Sequence, residues 1–304
     1  MNKAILVWVV LSLIWGSTWI FIKLGLRDLP PVTFAGLRFL VACLVLWGVV
    51  LARRVVMPRE ARIWLLLAGT GIVSISLNYG LIFWGEMRIT SGLAAVLQST
   101  IPVFGIVIAH HYLPTEQISL RKLAGIGLGF VGVSLIFYDQ MRIDGRAGFE
   151  GSVALIFSSV CVAWGNVLVK SKLPHLDPAL LAAGQMLFGF PPLLLLGWWW
   201  EGSPFELHWS TLSLVSLGYL ALVGSALAFL LYYWLVARIE VTKTMLISLV
   251  TPVAALIIGA LAIGERITWS ILVGSLTILA GISTIVYTAR PRKAGGGPEQ
   301  EQKR

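Results

Sequence analysis

The sequence predicts an all-α integral membrane protein: ten transmembrane helices arranged as two inverted five-helix repeats. Three observations carry this expectation. Hydrophobic residues make up 58% of the 304-residue chain and charged residues only 12%, against roughly 25% charged in soluble domains. The charges are separated by runs of about twenty apolar residues, the length of helix that crosses ~30 Å of hydrocarbon. The chain also resembles itself at a spacing of about 150 residues, the signature of a duplicated unit. So few charges cannot cover the surface of a soluble protein, and a mean hydropathy of +0.87 agrees.

The spans are expected near residues 4–26, 32–52, 63–85, 91–113, 121–138, 149–170, 178–200, 210–236, 242–263 and 269–288. Helix is the required form, because an open strand leaves backbone groups unpaired in lipid. Pro30, Pro31 and Pro178 stand where helices begin, a position that tolerates the missing N–H. The first apolar run, Ala4 to Ile22, exceeds the usual signal-peptide core of about 7–15 residues, so it is read as the first span. Residues 289–304 turn to Gly, Glu, Gln and Lys and are expected to form a disordered cytoplasmic tail. Cys43 and Cys161 lie inside apolar runs, which favours two buried thiols over a disulfide or a zinc site.

The basic residues divide unevenly between alternate connections. The side holding both termini carries sixteen, including Arg53, Arg54, Arg59 and Arg62; the other side carries five, Arg27, Arg88, Arg142, Arg146 and Arg266. The positive-inside rule then places both termini in the cytoplasm of a multi-pass cell (inner) membrane protein. The net charge of +9 reflects this bias; no nucleic-acid partner is implied.

The internal similarity is specific. Trp84, Arg88, Ile89 and Pro102 match Trp234, Arg238, Ile239 and Pro252; Glu116-Gln-Ile-Ser matches Glu265-Arg-Ile-Thr; Gly125 and Gly132 match Gly274 and Gly281; Lys23 and Pro31 match Lys170 and Pro178. The first repeat is residues 1–138, the connection 139–148 and the second repeat 149–288. Five helices per repeat is an odd number, so the second copy enters the membrane from the opposite side. Inverted repeats of this kind underlie alternating-access carriers.

The opening LIWGSTWIFIKLGLRDLPPVTFAGLRF resembles the first two helices of the EamA branch of the drug/metabolite transporter superfamily. The segments Pro102 to Glu116 and Pro252 to Glu265 resemble that family's fourth and ninth helices. The resemblance covers residues 4 to 288. It implies a central cavity lined by helices 1, 3, 4, 6, 8 and 9, and a solute drawn from amino acids, drugs, nucleosides and other metabolites, moved mostly outward. The chain departs from the family in reading LPTE where Gly-Glu is usual, as in Gly264-Glu265.

Candidate substrate-binding residues are polar or aromatic groups within these spans. Trp15, Trp19 and Lys23 recur every four residues and share one face of the first helix. That face suits an aromatic cavity wall with a cation at its outer end; equally, Lys23 suits a lysine snorkelling to headgroups. Trp164 and Asn166 occupy the sixth helix, the mate of the first. Arg38 is a cation within the second span, which calls for a carboxylate, a carbonyl or water. A tie to backbone carbonyls or to Asp28 is favoured over substrate binding. Asn78, Tyr79, Gln98, Tyr232 and Ser248 are further candidates. Gln98 and Ser248 each precede a proline by four residues, where they serve either a ligand or the carbonyls freed upstream. Pro102 and Pro252 are the candidate hinges.

Other chemistry is set aside on specific grounds. Gly127-Leu-Gly129-Phe-Val-Gly132 spells GxGxxG inside a lipid-spanning run, so helix packing explains it better than a nucleotide. No GxxxxGK[ST] is present, so neither ATP nor an ATPase partner is implied. His110-His111 has no second cluster with which to bind metal, and no cofactor is expected. All fourteen acids fall at span ends or in loops, which favours a facilitative carrier or exchanger over a proton pump. The partners expected are the bilayer and a small-molecule solute. The main alternative is a multi-pass membrane enzyme acting on a lipid-soluble substrate, which would need a converging nucleophile, acid or metal cluster. A channel would want a charged or carbonyl-rich filter.

Overall fold

Apolar periodicity becomes helix throughout. The computed structural model describes residues 3–112, 120–143, 145–203, 206–236 and 247–288. Among these the helices are α1 (Lys3–Gly25), α2 (Pro31–Ala52), α3 (Ala61–Glu86), α4 (Ser91–Tyr112), α5 (Leu120–Ile143), α6 (Gly145–Lys172), α7 (Pro178–Glu201), α8 (Thr211–Leu235), α9 (Ile247–Ile263) and α10 (Trp269–Thr288). Seven are long and apolar enough to cross a membrane alone; α5, α9 and α10 contribute shorter apolar stretches. Successive helices run in opposite directions. The bundle therefore has a proximal face, where α1 begins, and a distal face, where the α1–α2, α3–α4, α7–α8 and α9–α10 connections lie.

The packing follows a two-fold relation between halves. Mates meet on the axis, α2 against α7 and α5 against α10. Off the axis, α1 packs on α9 as α6 packs on α4, and α1 on α8 as α6 on α3. Small residues allow the closest approaches. A Cβ on Gly132 would lie 2.6 Å from the Gly274 carbonyl oxygen, and one on Gly281 would lie 2.5 Å from that of Gly125. These two contacts are symmetry mates of each other, and Gly132 ends the GxGxxG string, which here packs helices.

Each half also carries one π-helical stretch, Ile72–Leu77 in α3 and Tyr219–Leu227 in α8. Such stretches release backbone groups from the regular ladder and often mark functional positions. Gly71 and Gly189 bring α3 onto α7: a Cβ on Gly71 would lie 2.3 Å from the Gln185 carbonyl oxygen. Hydropathy carries no mark of an added residue per turn, so the sequence did not reveal these stretches.

One boundary differs from expectation. The connection placed at 139–148 is mostly helical, with α5 running to Ile143 and α6 resuming at Gly145. Charge marks where helices leave the apolar layer rather than where they stop. The i,i+4 pair Arg146–Glu150, at 2.7 Å, supports the first turns of α6. The tail at 289–304 lies outside the described residues.

The outward surface is apolar, as lipid requires, with Leu44, Leu65, Phe157 and Leu261 exposed. Trp198, Trp199 and Trp200 are exposed at the distal end of α7, where an aromatic belt meets the headgroups.

Candidate functional site

Among the described residues, hydrogen-bonded polar side chains gather in the middle of the bundle and at the distal face. The middle is built from α1, α3, α4, α6 and α8. Helix α4 is interrupted after Gln98 and resumes at Ile101, one residue before Pro102. The break leaves carbonyls that Ser99 and Thr100 take up with their own hydroxyls, on Val96 and Leu97. Gln98 sits at this break. Its Nε2 donates to Asn78 Oδ1 at 3.3 Å, and its Oε1 accepts from Ser158 at 2.7 Å and Ser159 at 3.0 Å. Asn78 is 1% exposed and donates back to the Ser74 carbonyl, inside the π-helical stretch. This amide–serine cluster joins α3, α4 and α6.

A second group is aromatic. Trp15 lies 5.2 Å from Tyr232 and 6.3 Å from Phe229, ring centre to ring centre. Tyr232 contacts Tyr233, whose hydroxyl donates to Gln185 Oε1 at 2.9 Å. Trp19, by contrast, is buried in the main hydrophobic core. Trp164 is half-buried and donates to the Tyr112 hydroxyl at 3.3 Å; Asn166 is exposed. The side chain of Ser248 lies outside the described residues.

Arg38 is 2% exposed and is tied across the repeats. Its Nε donates to Ser225 Oγ at 2.8 Å and its Nη2 to the Gly224 carbonyl at 3.3 Å, both in the π-helical stretch of α8. The guanidinium also lies 4.9 Å from the centre of the Tyr79 ring, a cation–π contact. Asp28 instead accepts from Ser210. The two hinge candidates differ: Pro102 follows a helix break, whereas Pro252 lies within continuous helix α9.

The distal face is held by charged side chains on helix ends. Glu201, at the end of α7, accepts from the backbone N–H groups of Val32 and Thr33 and from the Thr33 hydroxyl at 2.8–2.9 Å. It supplies the cap that Pro30 lacks. Glu265 does the same for α4, accepting from the N–H groups of Ser91 and Gly92. The positive φ of Gly264 turns the chain just before it. Lys23 does not reach outward to headgroups; its ammonium donates to the carbonyls of Glu86 at 2.5 Å and Ile89 at 2.7 Å, at the end of α3. Anions on N-termini and cations on C-termini match the helix dipole. Glu201 and Glu265 bind helices of the first half, and Asp28 binds Ser210 of the second, so these contacts tie the repeats together. A cavity of about 340 Å³ lies beside Lys23 and Glu265, lined also by Arg27, Glu86, Met87 and Thr90 among others.

Sequence reasoning missed Glu86 and the Ser158–Ser159 pair. Glu86 sits two residues from Arg88 at a span end, the pattern of an interfacial residue, and nothing in its neighbours announces burial.

Comparison with known proteins agrees with this architecture. Residues 2–138 and 150–287 match the EamA-like transporter family. The "Uncharacterized transporter YoaV" of Bacillus subtilis (strain 168) is 29% identical over 299 residues, 96% of this chain and 100% of the relative. A "Probable amino-acid metabolite efflux pump" of Escherichia coli (strain K12) is 28% identical over 291 residues, covering 92% and 94%. The "Uncharacterized inner membrane transporter YedA" of the same strain is 27% identical over 289 residues, covering 92% and 91%. A solved crystal structure superposes with a TM-score of 0.68 at 18% identity, covering 96% of this chain and 99% of its own, a likeness of fold. With one family match over each half of an inverted ten-helix bundle, the chain belongs to the EamA-like transporter family.

Proposed function

We propose that the protein is a secondary or facilitative carrier that exports amino acids or related metabolites across the inner membrane by alternating access, with both termini cytoplasmic. Membrane transport of small solutes is what its family membership supports. The observation that carries the finer reading is the lacing of the two repeats at the distal face by Asp28, Glu201 and Glu265, with Lys23 joining α1 to the end of α3 beside them. Behind that face sit aromatic and amide groups at mid-helix. The positive-inside count makes the distal face the outer one. The present arrangement is then closed to the outside, and a solute would enter from the cytoplasm.

Inversion supplies the second state. Whatever closes one face has a counterpart in the other repeat. Lys170 and Glu116 are the mates of Lys23 and Glu265; Glu116 lies outside the described residues. Thr115 precedes Glu116 where Gly264 precedes Glu265, so the two gates are not equal. Opening the distal face breaks hydrogen bonds to charged groups, each worth about 1.5–3 kcal/mol, and the solute's contacts must offset that loss. Amino-acid export as the task also draws on the efflux-pump relative. Purified protein in liposomes should move one or more radiolabelled amino acids faster than protein-free liposomes. No flux above that background for any amino acid would remove the proposed substrate class.

A further inference from the structure

Glu86 ends α3 at the distal face and is 0% exposed. Neither of its carboxyl oxygens has a hydrogen-bond partner. No charged group around it donates a hydrogen bond to it. From α1, Lys23 is committed to the carbonyls of Glu86 itself and Ile89, and Arg27 lines the cavity. From α2, Arg38 is held by Gly224 and Ser225. From the α9–α10 connection, Glu265 spends both oxygens on Ser91 and Gly92. Beyond the end of α3, Arg88 turns back to the Trp84 carbonyl at 2.8 Å. Helix α6 brings Arg146 and Glu150, which pair with each other. An ionised carboxylate buried without one donor is strongly disfavoured, whereas the neutral acid fits an apolar site far better.

We propose that Glu86 is a proton-binding site of the distal gate, holding a proton while the gate is shut and releasing it when the gate opens. The inference rests on the carrier reading above. Opening takes the Lys23 ammonium off the two carbonyls and frees it for the adjacent carboxyl group. Water from the cavity then reaches the acid. The O–H bond of Glu86 breaks, its proton passes to that water, and the carboxylate remains beside Lys23; no redox step is involved. By linkage, a state that binds one proton fewer is favoured as pH rises. Acid on the distal side therefore closes the gate, and alkali favours opening. The favoured shift approaches tenfold in the open-to-closed ratio per pH unit within the titration range.

The test needs no transported solute. Infrared spectra of the protein in liposomes at neutral pH should show a protonated-carboxyl band that is missing in Glu86→Gln. Separately, a single cysteine at Ile89, whose side chain is buried, reports the gate through an impermeant maleimide. Its labelling rate should rise with pH in the parent and stay low and flat in the Glu86→Gln background, where the amide imitates the neutral acid. A parent spectrum lacking the band, or equal pH responses in the two backgrounds, overturns the proposal. Circular dichroism and the elution profile of each variant confirm folding; if Glu86→Gln fails them, the parent's band and pH response decide alone. Absence of amino-acid flux would leave both readouts intact, so failure of the substrate reading is distinguishable.

Discussion

Glu265 holds Ser91 at two points, its Oε1 taking the backbone N–H at 2.7 Å and its Oε2 the hydroxyl at 2.8 Å. The acid belongs to the second repeat and the serine begins α4 of the first. Glu265→Ala removes a charged cap from the helix N-terminus and unties the repeats. A loss of about 1–2 kcal/mol in the closed arrangement is expected, a five- to thirtyfold fall in the closed-to-open ratio. Maleimide labelling at cysteine-substituted Ile89 should accelerate to match. Unchanged labelling would show that other contacts keep the face shut.

Arg38 tests whether an intramembrane charge is structural. Its bonds to Ser225 and Gly224 cross the repeats, and its ring contacts fill the space beside Tyr79. Arg38→Ala should lower stability by about 2–5 kcal/mol through lost volume and lost bonds. Arg38→Lys keeps the charge but gives up the planar fork, and should fall between. A thermal unfolding series in detergent separates the two roles: a substrate-only arginine would leave the midpoint of all three proteins the same.

The topology rests on the sixteen-to-five division of basic residues. Single cysteines at Glu206, before α8, and Arg59, before α3, both replace exposed residues. The first should react with an impermeant reagent in intact cells and the second only after permeabilisation. The reverse pattern would turn the protein over and make the proposed direction of export wrong.

The sequence revealed what depends on hydropathy and on repetition. Span positions near Pro31, Ser91 and Pro178 and the matching of Gly125 and Gly132 with Gly274 and Gly281 come from those two signals alone. It did not reveal what depends on one long-range contact. Pro30 shows that α2 lacks a local cap, but not that Glu201, 169 residues beyond Val32, provides it. Glu86 at a span end looks solvated, yet the fold buries it completely. Lys23 allowed two outcomes, and the carbonyls that hold it are invisible in a linear pattern. The paired prolines suggested matching bends, yet only α4 is interrupted among the described residues.

That difference makes the prolines separable. Pro102 follows a break whose freed carbonyls are already served by Ser99 and Thr100, so Pro102→Ala restores a donor and allows α4 to straighten. Pro252 lies in helix that stays continuous, and Pro252→Ala should disturb the resting structure less. Transport normalised to folded protein should fall further for Pro102→Ala. Equal rates in the parent and both variants would leave the prolines only a packing role.

Trp15 and Gln98 test the mid-membrane site. Trp15 faces Tyr232 and Phe229, and Gln98 holds Asn78, Ser158 and Ser159 in one cluster. A carrier must bind its solute in place of water and then release it, so weak, uncharged contacts suit it. An aromatic face offers about 0.5–2 kcal/mol to an apolar or cationic group. Trp15→Ala should therefore weaken apparent affinity by roughly twofold to thirtyfold, most for solutes with large side chains, while Trp15→Phe recovers part of it. Gln98→Ala leaves Asn78 and two serines without their shared partner, so it should also lower thermal stability. Trp15→Ala, at the half-buried end of an aromatic group, should lower it less. The measurement is concentration-dependent uptake of several amino acids into liposomes, normalised to monodisperse protein. Should Trp15→Ala and Gln98→Ala both keep the parent's affinities and order of preference, the solute does not pass between these residues, and the aromatic and amide groups serve only to hold α1, α3, α4, α6 and α8 together.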